Sequence, residues 1–315
     1  MSADEIVVVG GSGSPKLTAN ICRYLGIEPA RRDVFHFSEG TTFVKVGENV
    51  RGRRVYLVQS TAWPANDHFM ELLFWIDALK RASAAEITVI IPYFSYGKGD
   101  KKDEPRVSIR ARVCADAIEA AGASRVVTLD LHAPQIQGFF RLPVDDLDGL
   151  PVLAEAVRCK GLENLVVVSP DMGFVKQARK YADFLGTGLA IGDKERRGHD
   201  EQATVLRIIG DVEGKTALIV DDVVISGGTL VEAARQLVAA GATAVYAAVT
   251  HGVFSKDAMQ QIMASPIQRL FVTDSIETQP VAFCDKIEVV SVAPLLAEAI
   301  RRIHYRESIS VLFPL

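Results

Sequence analysis

Apolar residues along the 315-residue chain follow two alternating rhythms. Short continuous runs at Ile87–Ile91, Arg125–Leu129, Leu165–Ser169, Ala217–Val220 and Ala244–Val249 read as strands buried on both faces of a parallel sheet. Between them lie stretches with helical spacing: Pro15 to about Leu25, Asp67–Lys80 and Ser108–Ala121. A further helix opens at Thr229 and carries Leu230, Ala233, Leu237 and Val238 on its apolar side. Ser14 is placed to cap the first helix, with Pro15 at its first position. Shorter runs at Glu5–Val9, Phe43–Val46, Arg54–Gln59 and Leu189–Ile191 complete the strands. Such alternation predicts βαβ units in an α/β fold with mainly parallel sheets.

The polar clusters fall at the C-terminal ends of these strands, where open α/β sheets bind ligands. They are the basic loop Tyr93–Pro105, the segments Asp130-Leu-His132 and Pro170-Asp171-Met-Gly173, the run Asp193-Lys-Glu-Arg-Arg197, and Asp221 to Thr229. In the last, two carboxylates precede a small-residue turn, Ser226-Gly-Gly228, and then a helix start. Bare backbone N–H groups and the helix dipole would there favour a phosphate. The carboxylates repel phosphate and are left for sugar hydroxyls or a metal ion. A plain turn with a Thr cap is the alternative. His132 reads either as a core histidine or as a ligand, and Lys194 to Arg197 either as a solvated turn or as a mobile basic loop between Gly192 and Gly198. Ala121–His132 and Ala240–His251 align at one fixed offset, which suggests a duplicated unit or a chance likeness.

Composition narrows the classes. The chain is 49% apolar and 23% charged, with a formal net charge of −4, so no basic face for nucleic acid is expected. Its length suggests two domains, divided here at 1–145 and 146–315. No apolar run is long enough to span a membrane, and Met1–Glu5 lacks the character of a secretory signal, so a cytoplasmic location is expected. Cys22, Cys114, Cys159 and Cys284 lie far apart and read as reduced core residues.

Ala217–Thr229 resembles the ribose-phosphate loop of type I phosphoribosyltransferases and of ribose-phosphate diphosphokinases (phosphoribosyl pyrophosphate synthetases). Asp130-Leu-His-Ala-Pro-Gln-Ile-Gln-Gly-Phe-Phe140 is similar to a signature of the diphosphokinases alone, as are Pro92–Tyr96, Asp77–Ser83, Asn66–Leu73 and Ala293–His304. The resemblance runs from about residue 7 to Phe313. It implies two tandem phosphoribosyltransferase-like domains with an active site at their junction, and transfer of the β,γ-diphosphoryl group of ATP to ribose 5-phosphate. A non-catalytic regulatory relative and a phosphoribosyltransferase are the other readings. The resemblance places catalysis on Lys194 and Arg196, and Mg²⁺ on His132 and Asp171. It places ATP on Phe37, Glu39, Gly40, Thr41, Lys98 and Gly99. For ribose 5-phosphate it implies Arg196, Asp221, Asp222, Ile225, Ser226, Gly227, Gly228 and Thr229. It also implies a dimer-based homo-oligomer, commonly a hexamer in the family, whose Phe37–Thr41 segment reaches a neighbour's adenine. Arg51, Arg106, Ser308, Ser310 and Phe313 match positions linked to regulation by ADP and phosphate.

Several residues depart from the pattern. Ile225 stands for an Asp, Ser226 for a Thr, Thr41 for an acceptor Glu, Lys98-Gly99 for Arg-Gln, Glu195 for a basic residue and Phe174 for a Gly. These put nucleotide selectivity in doubt rather than the reaction.

Overall fold

The computed structural model describes residues 6–196, 204–255, 257–277 and 284–313, with the backbone alone at 194–196 and 204–206. It divides into two compact units. The first comprises Met1–Asp148, Ser275–Glu277 and Ser291–Leu315, and the second Gly149–Asp274 with Thr278–Val290. The sequence reading divides the chain at 145/146 and leaves the C-terminal helix in the second half. The structure returns that helix to the first unit.

In the first unit, β1 (Val7–Gly10) leads into α1 (Pro15–Leu25). An antiparallel hairpin follows, β2 (Arg32–His36) and β3 (Thr42–Val46), then β4 (Arg54–Val58) and α2 (Ala65–Arg81). β5 (Glu86–Ile91), α3 (Arg110–Ala121), β6 (Arg125–Leu129) and β7 (Val144–Leu147) complete a wholly parallel sheet of order β1-β4-β5-β6-β7. The strands read as apolar runs because helices cover both faces. Leu72, Trp75, Ile76 and Leu79 of α2 share one buried cluster with Leu57, Val89 and Ile91.

The second unit opens with α4 (Leu150–Arg158), β8 (Leu165–Ser169), α5 (Val175–Leu185), β9 (Gly188–Arg196) and β10 (Thr204–Ile209). It continues through β11 (Thr216–Val224), α6 (Gly228–Ala239), β12 (Ala244–Gly252), α7 (Ala258–Met263), β13 (Ile267–Thr273) and β14 (Ile287–Val290). The sheet order is β10-β9-β8-β11-β12-β13-β14, parallel except for the antiparallel β9–β10 edge. Alternation along β11 sends Ala217 and Ile219 into the cluster under α6, and Leu218 and Val220 into the one under α4 and α5. α8 (Ala293–His304) belongs to the first unit and packs on α1, burying Leu296, Ala297 and Ile300.

Three local expectations are corrected. The Ser14 side chain makes no cap bond at α1; its Oγ instead accepts the Ser60 N–H at 2.9 Å. The α1 N-terminus is served by the Glu277 carboxylate, which accepts the Leu17 N–H at 2.8 Å. Val238 is exposed, facing away from the α6 core. Cys22, Cys114 and Cys284 are buried, but Cys159 is exposed at the C-terminal end of α4.

Candidate active site

In the second unit, β11 runs past Val220 and carries Asp221 and Asp222 within the strand, paired with β12. Asp221 Oδ1 accepts the Asp222 N–H at 3.0 Å. Burial first, and then the neighbouring Asp222 charge, push the Asp221 carboxyl up to about 7; Asp171 adds to the repulsion. The chain then turns through exposed Ile225 and Ser226 into Gly227, whose φ of +79° a side chain would strain. Ser255 N–H donates to the Ile225 carbonyl at 2.7 Å and anchors the turn from behind. Gly228 begins α6, one residue earlier than expected, so Thr229 lies within its first turn, exposed beside Ser226. No side chain among the described residues caps this N-terminus. Its first N–H groups are thus left uncapped next to two exposed hydroxyl residues, a combination that suits a phosphate.

Asp171 lies after β8. Its Oδ1 accepts the Gly173 N–H at 2.9 Å and the Phe174 N–H at 3.3 Å. Phe174 is thereby the N-cap residue of α5. Asp171, Asp221 and Asp222 thus form an acidic neighbourhood in one unit, as the electrostatic coupling of Asp221 to both of the others shows. Among the described residues no group of three or more His, Cys, Asp and Glu is placed to hold a metal ion.

Lys194 and Arg196 are expected in a loop following a strand that stops at Ile191. They lie instead on β9, because antiparallel β10 extends it and pairs Lys194 with Leu206 and Arg196 with Thr204. A ladder satisfies the backbone even where the sequence is wholly charged. Arg197 and Gly198 fall outside the described residues.

In the first unit, Lys98 is exposed on a short turn, Gly97–Gly99, between two buried glycines. A side chain at Gly99 would run into Arg110, its Cβ 2.6 Å from Nε. A Cβ at Gly97 would stand 3.6 Å from that of His132, so the basic turn lies against the histidine segment. His132 is exposed and not a core histidine. Its segment is held by Asp146 Oδ1, which accepts the Leu131 N–H at 3.1 Å and the Thr128 hydroxyl at 2.9 Å.

Phe37, Glu39, Gly40 and Thr41 form the tip of the β2–β3 hairpin, closed by Phe37 N–H to Thr41 carbonyl at 2.9 Å. The Thr41 hydroxyl donates to Glu39 Oε1 at 2.7 Å, which holds the Glu39 carboxyl below its ordinary range. A carboxylate acceptor therefore stands at this tip, two residues before the position where sequence comparison looks for it. Phe35, Phe37 and Phe43 are exposed on the outer face, with ring centroids 6.0 Å (Phe35–Phe43) and 6.4 Å (Phe37–Phe43) apart.

A separate cavity of about 620 Å³ lies in the first unit at the starts of β4, β5 and β6, lined in part by Arg54, Glu86, Arg125, Asp145, Ser308 and Ser310. Of the positions matching the regulatory site, Ser308 and Ser310 line it, while Arg51, Arg106 and Phe313 do not. Asn66, Glu71 and Tyr96 lie in segments that carry the family resemblance but are given no role by it, and Thr61 lies outside those segments. These polar residues are recognisable only by the bonds described below.

The two units, with polar loops at the C-terminal ends of their strands, define a pair of phosphoribosyltransferase-like α/β domains. A crystal structure of phosphoribosylpyrophosphate synthetase from Mycobacterium smegmatis matches with a TM-score of 0.90 and 37% identity, over 96% of this chain and 99% of that one. Residues 6–122 match the N-terminal domain of ribose phosphate pyrophosphokinase, and residues 200–314 the phosphoribosyl synthetase-associated domain. A ribose-phosphate pyrophosphokinase of Caldanaerobacter subterraneus is 50% identical over 311 residues, 98% of each chain. One from Bacillus subtilis is 46% identical over 302 residues, 96% of this chain and 95% of its own. The chain belongs to the ribose-phosphate pyrophosphokinase family.

Proposed function

We propose that the protein transfers the β,γ-diphosphoryl group of ATP to the 1-hydroxyl of ribose 5-phosphate, giving phosphoribosyl pyrophosphate and AMP. The sugar oxygen forms a bond to the β-phosphorus as the bond from that phosphorus to the AMP oxygen breaks, and the hydroxyl proton is released. The observation that carries this reading is the turn from Ile225 to Thr229. Around left-handed Gly227 it offers exposed hydroxyls and helix N–H groups to a 5-phosphate, with the Asp221 carboxylate just behind. Asp221 and Asp222 would accept bonds from ribose hydroxyls, which a phosphate cannot provide.

On the donor side, Lys98 and Gly99 would meet the nucleotide, and Phe37, Glu39, Gly40 and Thr41 its base. Lys194 and Arg196 would act on charge that develops in the transition state, where a fixed cation lowers the barrier most. No side chain is required as a covalent nucleophile, since positioning and electrostatics suffice for phosphoryl transfer. The donor set suits a hard divalent cation: Asp171 has one oxygen oriented by two N–H groups and the other engaged by no described residue. His132 and Asp171 would hold Mg²⁺, whose chemistry when bound is to neutralise the triphosphate. Exposed Phe35, Phe37 and Phe43 favour a second copy of the chain covering this hairpin, in a dimer-based assembly. A cytoplasmic location agrees with these substrates.

One assay tests the reaction: AMP release from Mg-ATP with and without ribose 5-phosphate. Stoichiometric AMP that depends strictly on the sugar is expected. Sugar binding with no AMP formed would favour a non-catalytic relative.

A further inference from the structure

The turn that carries Lys98 is held from outside by residues of the loop after β4 and the start of α2. Thr61 is fully buried, and its hydroxyl is saturated. Oγ1 donates to the Tyr93 carbonyl at 3.0 Å, and accepts the Ser95 N–H at 3.0 Å and the Ser95 hydroxyl at 3.1 Å. The Thr61 N–H also donates to the Tyr93 carbonyl at 3.0 Å. One residue further on, the Tyr96 phenol donates to Asn66 Oδ1, and its ring meets Phe69 edge-on at 5.9 Å. The Tyr96 carbonyl then accepts the Gly99 N–H at 2.9 Å, closing the turn around Lys98. On the far side, Gln135 Nε2 donates to Asp100 Oδ2 at 3.0 Å.

These bonds are placed where a loop that meets a polyanion needs them. Lysine offers one point charge on a flexible stem and has no planar fork to fix its own geometry. Its position must then come from the backbone beneath it. Every residue from Tyr93 to Asp100 except Lys98 is buried or partly buried, and bonds to other segments bracket the lysine on both sides. We infer that Thr61 and the Asn66–Tyr96 pair are positioning residues for the nucleotide, acting through the Lys98 turn. This inference rests on the proposed role of Lys98 toward ATP. It adds that the loop is set before the nucleotide arrives and that these three residues set it.

The test compares steady-state kinetics of the full chain for both substrates. Thr61→Val removes the hydroxyl at constant shape, and KM for ATP should rise about ten-fold, the factor that corresponds to ~1.4 kcal/mol. KM for ribose 5-phosphate and kcat should stay within about two-fold, because a ground-state contact to one substrate moves that KM alone. Thr61→Ser keeps the hydroxyl and should restore the wild-type value. Tyr96→Phe leaves the fold intact even if Thr61→Val does not, and should raise the ATP KM about three-fold, within the range of one neutral hydrogen bond. Asn66→Ala should match it, and the double variant should be no worse than either single one.

Lys98→Ala separates the two layers of the argument. If it leaves ATP KM unchanged, the role of Lys98 fails and this inference falls with it. If Lys98→Ala raises ATP KM while Tyr96→Phe and Thr61→Val do not, the positioning role alone is overturned. A rise in both KM values together, or additive effects of Tyr96→Phe and Asn66→Ala, would likewise overturn it.

Discussion

Glu71 is the most consequential buried charge in the first unit, and its removal gives a sharp test of how the glycine-rich segment after β1 is held. It lies on α2 with 1% of its surface exposed. Its Oε1 accepts the Ser12 N–H at 2.9 Å and the Trp75 indole N–H at 3.0 Å, while Oε2 has no partner among the described residues. Burial pushes the Arg32 guanidinium down from its ordinary value, and the Glu71 charge opposes that shift, so the two charges answer each other. Gln59 completes the support. Its Oε1 accepts the Gly13 N–H at 3.0 Å, and a Cβ on Gly11 would come within 1.9 Å of that oxygen. Glu71→Ala leaves the buried Trp75 indole N–H and the partly buried Ser12 N–H without an acceptor. At ~1–3 kcal/mol for the buried donor and ~0.5–1.5 kcal/mol for the other, the expected cost is about 1.5–4.5 kcal/mol. Glu71→Gln keeps a carbonyl oxygen for both donors, but loses the charge and puts an amide N–H₂ where Oε2 has no partner, so a smaller cost of about 0.5–1.5 kcal/mol is expected. Urea unfolding followed by tryptophan fluorescence reads this directly, because Trp75 is itself one of the donors; the midpoint shift multiplied by the slope gives the difference. An alanine variant within about 1 kcal/mol of wild type, or a glutamine variant as weak as the alanine one, would refute the hydrogen-bond account.

Three further outcomes follow from the site. Thr229→Ala removes a hydroxyl donor to a charged phosphate, and should weaken ribose 5-phosphate about ten-fold while leaving ATP nearly unchanged; calorimetric titration with each ligand checks it. Lys194→Ala should cut turnover by orders of magnitude with both KM values little changed, since its contact is made mainly in the transition state; weakened binding with turnover preserved would contradict this. Glu39→Gln keeps a carbonyl but adds a donor at the hairpin tip, and should lower the ATP-over-GTP ratio of kcat/KM about ten-fold. Thr41→Glu should change that ratio less, and an unaltered ratio in Glu39→Gln would show that the Glu39 carboxylate does not read the base.

How much of this was legible in the sequence depended on how each element is buried. Ile87–Ile91 and Ala217–Val220 announced themselves because strands covered on both faces must be continuously apolar. β2, Arg-Asp-Val-Phe-His, and β7, Val-Asp-Asp-Leu, carry charges that mask a strand. β2 pairs only within its hairpin, and the β7 acids serve Arg125, Thr128 and Leu131. The end of β9 was hidden for the same reason, since its order comes from a partner strand and not from its own apolar residues. The phosphate-type turn could be read from spacing because glycine, hydroxyl and helix start are local in sequence. The supports were not legible. Thr61 and Ser95, or Ser12 and Glu71, lie 34 and 59 residues apart, and nothing in either segment names its partner. Glu39 is placed in the adenine segment by resemblance, while its bond from the Thr41 hydroxyl is visible only in the structure.

The return of α8 to the first unit has a consequence for how the protein is made. Leu296, Ala297 and Ile300 bury themselves in a unit whose other elements, apart from the short Ser275–Glu277 segment, end at Asp148. On the ribosome, that unit must wait while the whole of the second is synthesised, a delay on the order of ten seconds at ordinary elongation rates. Throughout that interval the apolar side of α1, with Leu17 and Ile21, lacks the helix that covers it in the finished fold. The second unit has all its residues once Val290 is made, whereas the first still lacks α8 at that point. Synthesis therefore completes the second unit before the first, although the first is begun earlier.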